Sequence, residues 1–206
     1  MVERLRRWRA LLERDQAGFS RSELLGLIGE LVTLERRLIP EFGVDTAVAS
    51  WQGPFGTSHD FLLPGGARIE VKTIGWQDDH VRISSLSQLD LEAGPLTLAV
   101  VRVQIVAQGA NDAISAPLLI ERLRAALSTS IEAADSFEEA LAAFGWHEHP
   151  RHHEVAVTIV RIDAHEVGDN FPRLTASMVP TGVSEVTYHA LLPRAGYADW
   201  SGMHER

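Results

Sequence analysis

Lys72 is the only lysine in this chain of 206 residues, and it stands two residues after Glu70 in the segment "IEVKT". Residues two apart in a β-strand share a face and lie about 6.6 Å apart, so the two side chains point the same way. Apart from histidine, every other cationic side chain is arginine. The ammonium of lysine can follow a water molecule or a phosphoryl oxygen, whereas the guanidinium of arginine is planar and remains protonated. This pattern indicates that chemistry requires lysine at position 72.

Asp60 joins Glu70 only if the hairpin between them has the right register. Strands are expected near 58–63 and 67–74, separated by the turn-forming sequence "PGG". A three-residue loop pairs the residues on either side of it and sets Asp60 opposite Glu70, with Cβ atoms about 5 Å apart. A two-residue loop would instead send the two carboxylates to opposite faces of the sheet.

Two carboxylates side by side on a half-buried sheet repel each other and lower stability unless a positive charge lies between them. Mg²⁺ is usually held by one or two carboxylates together with water molecules and phosphate oxygens. We therefore expect Asp60 and Glu70 to bind a divalent cation, Mg²⁺ or Mn²⁺, beside Lys72.

A long helix is predicted before the hairpin. Ser20 can cap it, and Glu23, three residues later, can complete a capping box. Leucines then recur at helical spacing until Pro40, which we expect to end the helix. At about 100° per residue, Glu30 lies about 60° from Leu27 around the helix axis. Glu30 therefore borders the core rather than facing bulk water.

The remaining elements predict one α/β domain with a mixed sheet. The apolar run 96–106 is typical of a strand covered on both faces. The segment "SSLSQLDLEA" looks like the start of a helix that Ser84 or Ser85 caps, with its dipole aimed toward the carboxylates. Further helices are expected at 115–128 and 135–144, and further strands at 80–84, 153–162 and 183–191. We expect a single domain over 1–206, with a core at about 20–107 and additions at 108–206.

An aspartate, a short hairpin and "EVK" together resemble the PD-(D/E)XK phosphodiesterase superfamily, the restriction-endonuclease-like nucleases. The helix "LLGLIGELVTLE" is similar to the first core helix of that superfamily, which carries an extra acidic ligand, here Glu30. More narrowly, "WQGPFGTSHDFLL", "IEVKT" and "ISSLSQLD" resemble bacterial members encoded in restriction and phage-defence gene clusters. The match covers about residues 20–100, and His59 stands where the strict motif has proline.

The resemblance implies a restriction-endonuclease-like mixed β-sheet flanked by helices, and a deoxyribonuclease that depends on Mg²⁺ or Mn²⁺. Asp60 and Glu70 would bind the cation together with the backbone carbonyl of Val71, and Glu30 would complete the metal shell through a water molecule. Lys72 would orient or deprotonate the attacking water, or stabilise the phosphoryl oxygens.

Two further segments are candidates for contact with substrate. In related nucleases the helix after "SS" helps to hold substrate phosphate, which makes Gln88 and Ser85 candidate substrate-binding residues. Trp51 and the "GPFG" loop could border a DNA groove, or Trp51 could simply be packed within its loop.

The composition limits the partners of the protein. A net charge of −9 means that the whole molecule does not attract nucleic acid or anionic membrane by charge alone. The arginine-rich segment 3–15 predicts an amphipathic helix whose basic face is either solvated or in contact with phosphate. Without cysteine or a run approaching the ~20 apolar residues of a membrane span, the expected location is the cytoplasm. The acidic surface favours targeting through a partner. The resemblance implies DNA as substrate, other defence proteins such as an ATPase as partners, and action as a subunit or as a homodimer.

Other functions have weaker support. The histidine-rich segment "WHEHPRHHE" has the atoms for a zinc site, but it lacks the H-E-x-x-H spacing and Pro150 interrupts any helix there, so we expect a polar, exposed turn. No G-x-S-x-G and no Walker lysine are present. The alternatives that remain are a catalytically inactive DNA-binding or assembly subunit, and cleavage of RNA or of modified DNA.

Overall fold

The first helix begins where the sequence predicts it. A computed structural model of the protein describes residues 18–200, so the helix expected at 3–15 lies outside the described residues. Helix α1 (Arg21–Thr33) is capped by Ser20, whose Oγ accepts a hydrogen bond from the Glu23 N–H at 3.3 Å, while the Glu23 carboxylate accepts one from the Ser20 N–H at 2.8 Å. The predicted capping box is confirmed.

The expectation that Pro40 ends the helical path is wrong. A π-helical turn, Leu34–Leu38, leads directly into α2 (Ile39–Phe42), and Pro40 lies in the first turn of α2. Proline is tolerated there because its missing N–H is not needed in a first helical turn. The chain turns only at Gly43, which has a φ of 77°, and α3 (Val44–Ala49) follows. A glycine in this backbone region, rather than the proline, ends the helix.

The strands form the mixed sheet that the sequence predicts. Five of them lie in the order β1-β2-β4-β5-β7, with β2 and β4 parallel and the other pairs antiparallel. Strands β3 and β6 form a separate antiparallel pair. The strands are β1 (Phe61–Leu62), β2 (Arg68–Gly75), β3 (His80–Ile83), β4 (Leu96–Val106), β5 (Ala156–Glu166), β6 (Tyr188–Leu191) and β7 (Tyr197–Asp199).

Both faces of the five-stranded sheet are covered. On one face, Val71, Ala99 and Val101 pack into a core with helices α1, α4 (Ala116–Leu127) and α5 (Ile131–Phe144). On the other face, Leu98 and Val100 pack beneath the β3–β6 pair. Strand β4 is therefore buried on both faces, as its continuous apolar sequence predicts.

Two local expectations need correction. The segment expected to start a capped helix forms only a four-residue 3-10 helix, Leu86–Leu89, and the side chain of Ser85 makes no capping hydrogen bond. A helix this short has only a small dipole, so the expectation that a helix dipole points toward the carboxylates is wrong. Strand β7 was not predicted. Within residues 18–200, no helix has both the length and the apolar composition that crossing a bilayer requires.

Candidate active site

The hairpin between β1 and β2 has a three-residue loop. The Leu63 N–H donates to the Ala67 carbonyl at 2.8 Å, so the two residues on either side of "PGG" are paired. Gly65 and Gly66 have φ values of 86° and 87°, a backbone region that costs glycine little and other residues much more. The glycines therefore fix the loop, and the loop fixes the register of the hairpin.

This register brings Asp60 to Glu70. Phe61 pairs with Ile69 at the end of the ladder, and Asp60, the residue before Phe61, lies close enough to Glu70 for its charge to raise the pKa of Glu70. Strand β1 begins only at Phe61, and in place of a further ladder bond the Asp60 Oδ2 accepts a hydrogen bond from the Val71 N–H at 2.7 Å. The Asp60 carboxylate therefore holds the edge of β2 at the point where β1 stops.

Lys72 is paired with Glu70. Its Nζ lies 2.7 Å from the Glu70 Oε1, and the two side chains are 17% and 2% exposed. Burial and, after it, the charge of Asp60 raise the pKa of Glu70, Lys72 partly opposes them, and the resulting pKa is about 8. Burial also raises the pKa of Asp60, against the lowering effect of the hydrogen bond from Val71 and of Lys72. One ammonium is therefore not enough to keep both buried carboxyl groups readily ionised.

Glu30 reaches this pocket from α1. Its Oε2 accepts a hydrogen bond from the indole Nε1 of Trp51 at 2.8 Å. Burial raises the pKa of Glu30 well above its ordinary value, Asp60 and Glu70 add to the increase, and Trp51 opposes it. Trp51 is 1% exposed, so it is packed in its loop and does not border a groove. Glu30 borders the core, as the helical spacing predicts.

Gly53 leaves the space between two of the carboxylates open. A Cβ at this position would lie 2.9 Å from the Glu30 Oε2 and 3.0 Å from the Asp60 Oδ1. The N–H groups of Gln52 and Gly53 both donate to the Asp60 carbonyl, at 2.8 and 3.0 Å, which holds this loop against the aspartate. The position of Gly53 between two carboxylates was not predicted, and the glycines of "GPFG" are the only feature of the sequence that indicates it.

Gly29 lets α1 approach β2. A Cβ at Gly29 would lie 2.1 Å from the Thr73 Oγ1 and 3.3 Å from the Val71 Cγ1. Only a residue without a side chain fits there. Because Glu30 is the next residue of the helix, this close approach sets the distance between Glu30 and the strand that carries Glu70 and Lys72.

The pocket fits a divalent cation by its chemistry. Within the described part of the chain, no group of three or more His, Cys, Asp or Glu side chains is already arranged to hold a metal ion. Mg²⁺, however, needs only one or two carboxylates beside water and phosphate. Asp60 and Glu70 provide hard oxygen ligands, and burial, the main cause of their raised pKa values, makes a cation beside them favourable.

The structure does not bring Gln88 and Ser85 into this carboxylate group. The Gln88 Oε1 accepts a hydrogen bond from the Ser84 N–H at 2.8 Å, and the Oγ atoms of Ser85 and Ser87 are 2.8 Å apart. Both hydrogen bonds join residues within 84–88 and do not reach the carboxylates. Contact of Gln88 or Ser85 with phosphate stays a prediction.

The histidine segment is exposed only in part, which corrects the expectation of an exposed turn, because Glu148, Pro150, Arg151 and Glu154 are exposed but His152 is not. His152 is fully buried, and its Nε2 accepts a hydrogen bond from the Phe19 N–H at 3.1 Å. Burial lowers the pKa of His152, and the neighbouring His147 and His149 lower it further. His152 therefore ties the segment Pro150–His153 to the start of α1 as a neutral acceptor.

Comparison with known proteins places the chain in a family. Residues 1–192 match the model of a family described as "Putative PD-(D/E)XK family member, (DUF4420)". No curated protein matches the chain. No solved structure matches it either. The matched region contains Asp60, Glu70, Lys72 and Glu30, together with all strands of the hairpin and of the β3–β6 pair. With its mixed sheet and its Asp, Glu-x-Lys arrangement, the chain belongs to this family of PD-(D/E)XK proteins.

Proposed function

We propose that the protein is a metal-dependent phosphodiesterase that cleaves DNA within a bacterial restriction or phage-defence system. The proposal rests chiefly on the β1–β2 hairpin, which sets Asp60 beside Glu70 while Glu70 is paired with the only lysine of the chain. Membership of a PD-(D/E)XK family over residues 1–192 supports the same class of chemistry.

Asp60, Glu70 and the backbone carbonyl of Val71 would hold Mg²⁺ or Mn²⁺. When bound, such a cation supplies positive charge that makes water more acidic and neutralises charge on the reacting phosphate. The Lys72 ammonium, which donates to the Glu70 Oε1 at 2.7 Å, has further N–H donors for a water molecule or a phosphoryl oxygen. Its placement by Glu70 keeps it at the edge of the pocket, where it remains partly exposed.

Glu30 would act through a water molecule. The Trp51 N–H fixes its Oε2 atom, and burial raises its pKa well above the ordinary value. A fixed carboxyl group can form a hydrogen bond with a water molecule that lies between it and Asp60. We propose that Glu30 completes the shell around the cation in this indirect way.

The acidic protein needs help to find DNA. A net charge of −9 works against unaided association with a polyanion. We propose that other components of the defence system, such as an ATPase, or a second copy of the chain in a homodimer, bring it to DNA in the cytoplasm.

Cleavage of plasmid DNA tests the proposal. Wild-type protein with Mg²⁺ or Mn²⁺ is compared with Asp60→Ala and Lys72→Ala, and with Arg82→Ala, which removes an exposed cation of β3 as a matched control. We expect cleavage by the wild type and the control, and loss in the other two variants while their circular dichroism is unchanged. Equal cleavage by all four proteins would remove the catalytic assignment. If none cleaves, calorimetric titration with Mn²⁺ distinguishes an enzyme that lacks its partner from an inactive subunit, which binds no cation at Asp60.

A further inference from the structure

A cavity of about 470 Å³ opens beside the carboxylates, within the size range of small-ligand sites. Its walls include His59, Leu62, Arg68, Ser87, Asp90 and Glu92. His59 immediately precedes Asp60, and Arg68 lies two residues before Glu70 on the same face of β2. The cavity is therefore adjacent to the place where the proposed function puts the reacting phosphate.

Arg68 is a buried cation whose hydrogen bonding is incomplete. Only 6% of it is exposed, and its Nε is buried without a hydrogen-bond partner. Its Nη2 donates to the Gly94 carbonyl, and its Nη1 lies at 3.5 Å from the His59 Nε2. Among the ion pairs of the described residues, none involves Arg68. A buried guanidinium without a carboxylate partner is costly, and an acceptor on a ligand would offset that cost.

The rest of the cavity argues against a phosphate as that ligand. Asp90 and Glu92 line the same cavity and would repel an anion, but they can accept hydrogen bonds from amino and imino groups. Leu62, which is 52% exposed, adds an apolar surface. His59 lies in the same wall, and its ring nitrogens offer a further hydrogen-bonding position.

We propose that this cavity binds one unstacked nucleobase of the DNA strand, and that guanine fits it best. Arg68 would donate to O6 and N7 of guanine, the commonest specific pairing of arginine with a base. Asp90 and Glu92 would accept hydrogen bonds from the amino and imino groups at the opposite edge of the base. Leu62 would pack against its ring. This inference rests on the proposed function, because it concerns the nucleotide next to the phosphate that is cleaved.

Binding of short DNA strands in EDTA tests the inference without any cleavage. Wild-type protein is titrated against four labelled 12-nucleotide strands of thymidine that differ only in one central base, G, A, C or T, and fluorescence anisotropy is measured. We expect binding of the guanine strand to be at least about tenfold tighter than binding of the others. Equal affinity for the four strands, or no binding of any of them, overturns the inference.

Asp90→Asn provides the variant that should still fold. The Asp90 Oδ1 accepts a hydrogen bond from the Glu92 N–H at 3.0 Å, and the amide oxygen of asparagine can replace it. We expect this variant to lose most of the preference for guanine, whereas Asp79→Asn, which removes an exposed carboxylate outside the cavity, should keep it. An unchanged preference in Asp90→Asn overturns the inference.

Competition and cleavage distinguish the remaining outcomes. We expect guanosine to displace the guanine strand and inorganic phosphate not to displace it at the same concentration, and the reverse order overturns the inference in favour of a phosphate site. Cleavage with no base preference overturns this inference but leaves the proposed nuclease intact. A guanine preference without cleavage supports this inference, and the Mn²⁺ titration then decides whether the protein is a nuclease that lacks its partner or an inactive subunit.

Discussion

The Lys72 ammonium lies 2.7 Å from the Glu70 Oε1, and both side chains leave the same face of β2. This contact holds the Lys72 ammonium next to two carboxylates with raised pKa values. In the proposed mechanism, the type of cation at position 72 matters. A lysine can leave this contact for a water molecule or a phosphoryl oxygen by rotation about its flexible chain.

Replacing Lys72 with arginine keeps the charge and should still abolish cleavage. We expect Lys72→Arg and Lys72→Met both to lose about 10²-fold to 10⁴-fold in rate, the usual contribution of proton transfer by a positioned group. The thermal transition of Lys72→Arg should stay close to that of the wild type. Plasmid cleavage under matched Mn²⁺ concentrations measures the effect, with Arg82→Lys as the control for an arginine–lysine exchange elsewhere. Full activity in Lys72→Arg would show that only charge is needed.

The stability of the metal-free protein should fall as the pH rises. The folded protein binds a proton at Glu70 with a pKa of about 8, whereas the ordinary value is 4.5. The folded state therefore holds a proton that the unfolded state releases, and the free energy of unfolding decreases between pH 4.5 and pH 8.

Glu70→Gln cannot ionise and should remove this part of the pH dependence. One pKa unit is worth about 1.4 kcal/mol, so at pH 8 the melting temperature of the variant should exceed that of the wild type by at least roughly 3 to 6 °C. At pH 4, below the ordinary pKa, the two proteins should melt within a degree or so of each other, because Glu70 is then mostly neutral in both the folded and the unfolded state. Scanning calorimetry in EDTA over this range checks the prediction, and parallel curves for the two proteins would contradict it.

Gly53→Ala should weaken cation binding without unfolding the protein. Its methyl group would enter the space next to the Glu30 Oε2 and the Asp60 Oδ1, at 2.9 and 3.0 Å. We expect the affinity for Mn²⁺ to fall by about tenfold or more, since supporting residues of a metal site commonly contribute that much. Gly168→Ala, which meets no atom within 4 Å, is the matched control. Calorimetric titration with Mn²⁺ measures both variants, and equal affinities would show that Gly53 is only a loop residue.

Gly29→Ala and Gly26→Ala should have opposite effects on stability. At Gly29 the new Cβ would lie 2.1 Å from the Thr73 Oγ1, so the variant should be destabilised by about 1 to 3 kcal/mol through overpacking. At Gly26 nothing lies within 4 Å, and alanine should stabilise this half-buried helix position by about 0.5 to 1 kcal/mol. Urea unfolding measures both changes. Adding Thr73→Ala should recover part of the loss at Gly29, and no recovery would point to another cause.

Trp51→Phe should affect Glu30 more than the core. The variant removes the indole N–H that donates to the Glu30 Oε2 at 2.8 Å, while it keeps an aromatic ring in the buried position. We expect a loss of about 1 to 3 kcal/mol in stability, because the variant leaves the buried Glu30 carboxyl group without this donor. A double-mutant cycle with Glu30→Gln separates this bond from the change in ring size, and additive effects would show that the two residues are not coupled.

The hairpin was predictable because its information is local. The sequence "PGG" indicates a turn and allows a loop of two or three residues. The structure has the three-residue loop, and the alternation of strand faces then places Glu70 and Lys72. The capping box of α1 was predictable for the same reason, since Ser20 and Glu23 are three residues apart.

The features that were missed depend on residues far apart in the sequence. Trp51 meets Glu30, His152 meets Phe19, and Gly53 borders two carboxylates from different elements. No spacing rule reports such contacts, because tertiary packing alone creates them. The failed helix after Ser85 has a local cause instead. Asp90 accepts the Glu92 N–H, and Gly94 with Pro95 turns the chain directly into β4, which leaves room for one short turn.

The pairing of Lys72 with Glu70 also gives the protein a built-in reporter. Position 72 is the one side-chain amine of the chain, and 17% of that side chain reaches solvent. An amine-selective acylating reagent would therefore modify only one side chain, and peptide mass spectrometry would measure the extent of that modification. Slower acylation when a ligand is added would register occupancy of the pocket with no engineered label.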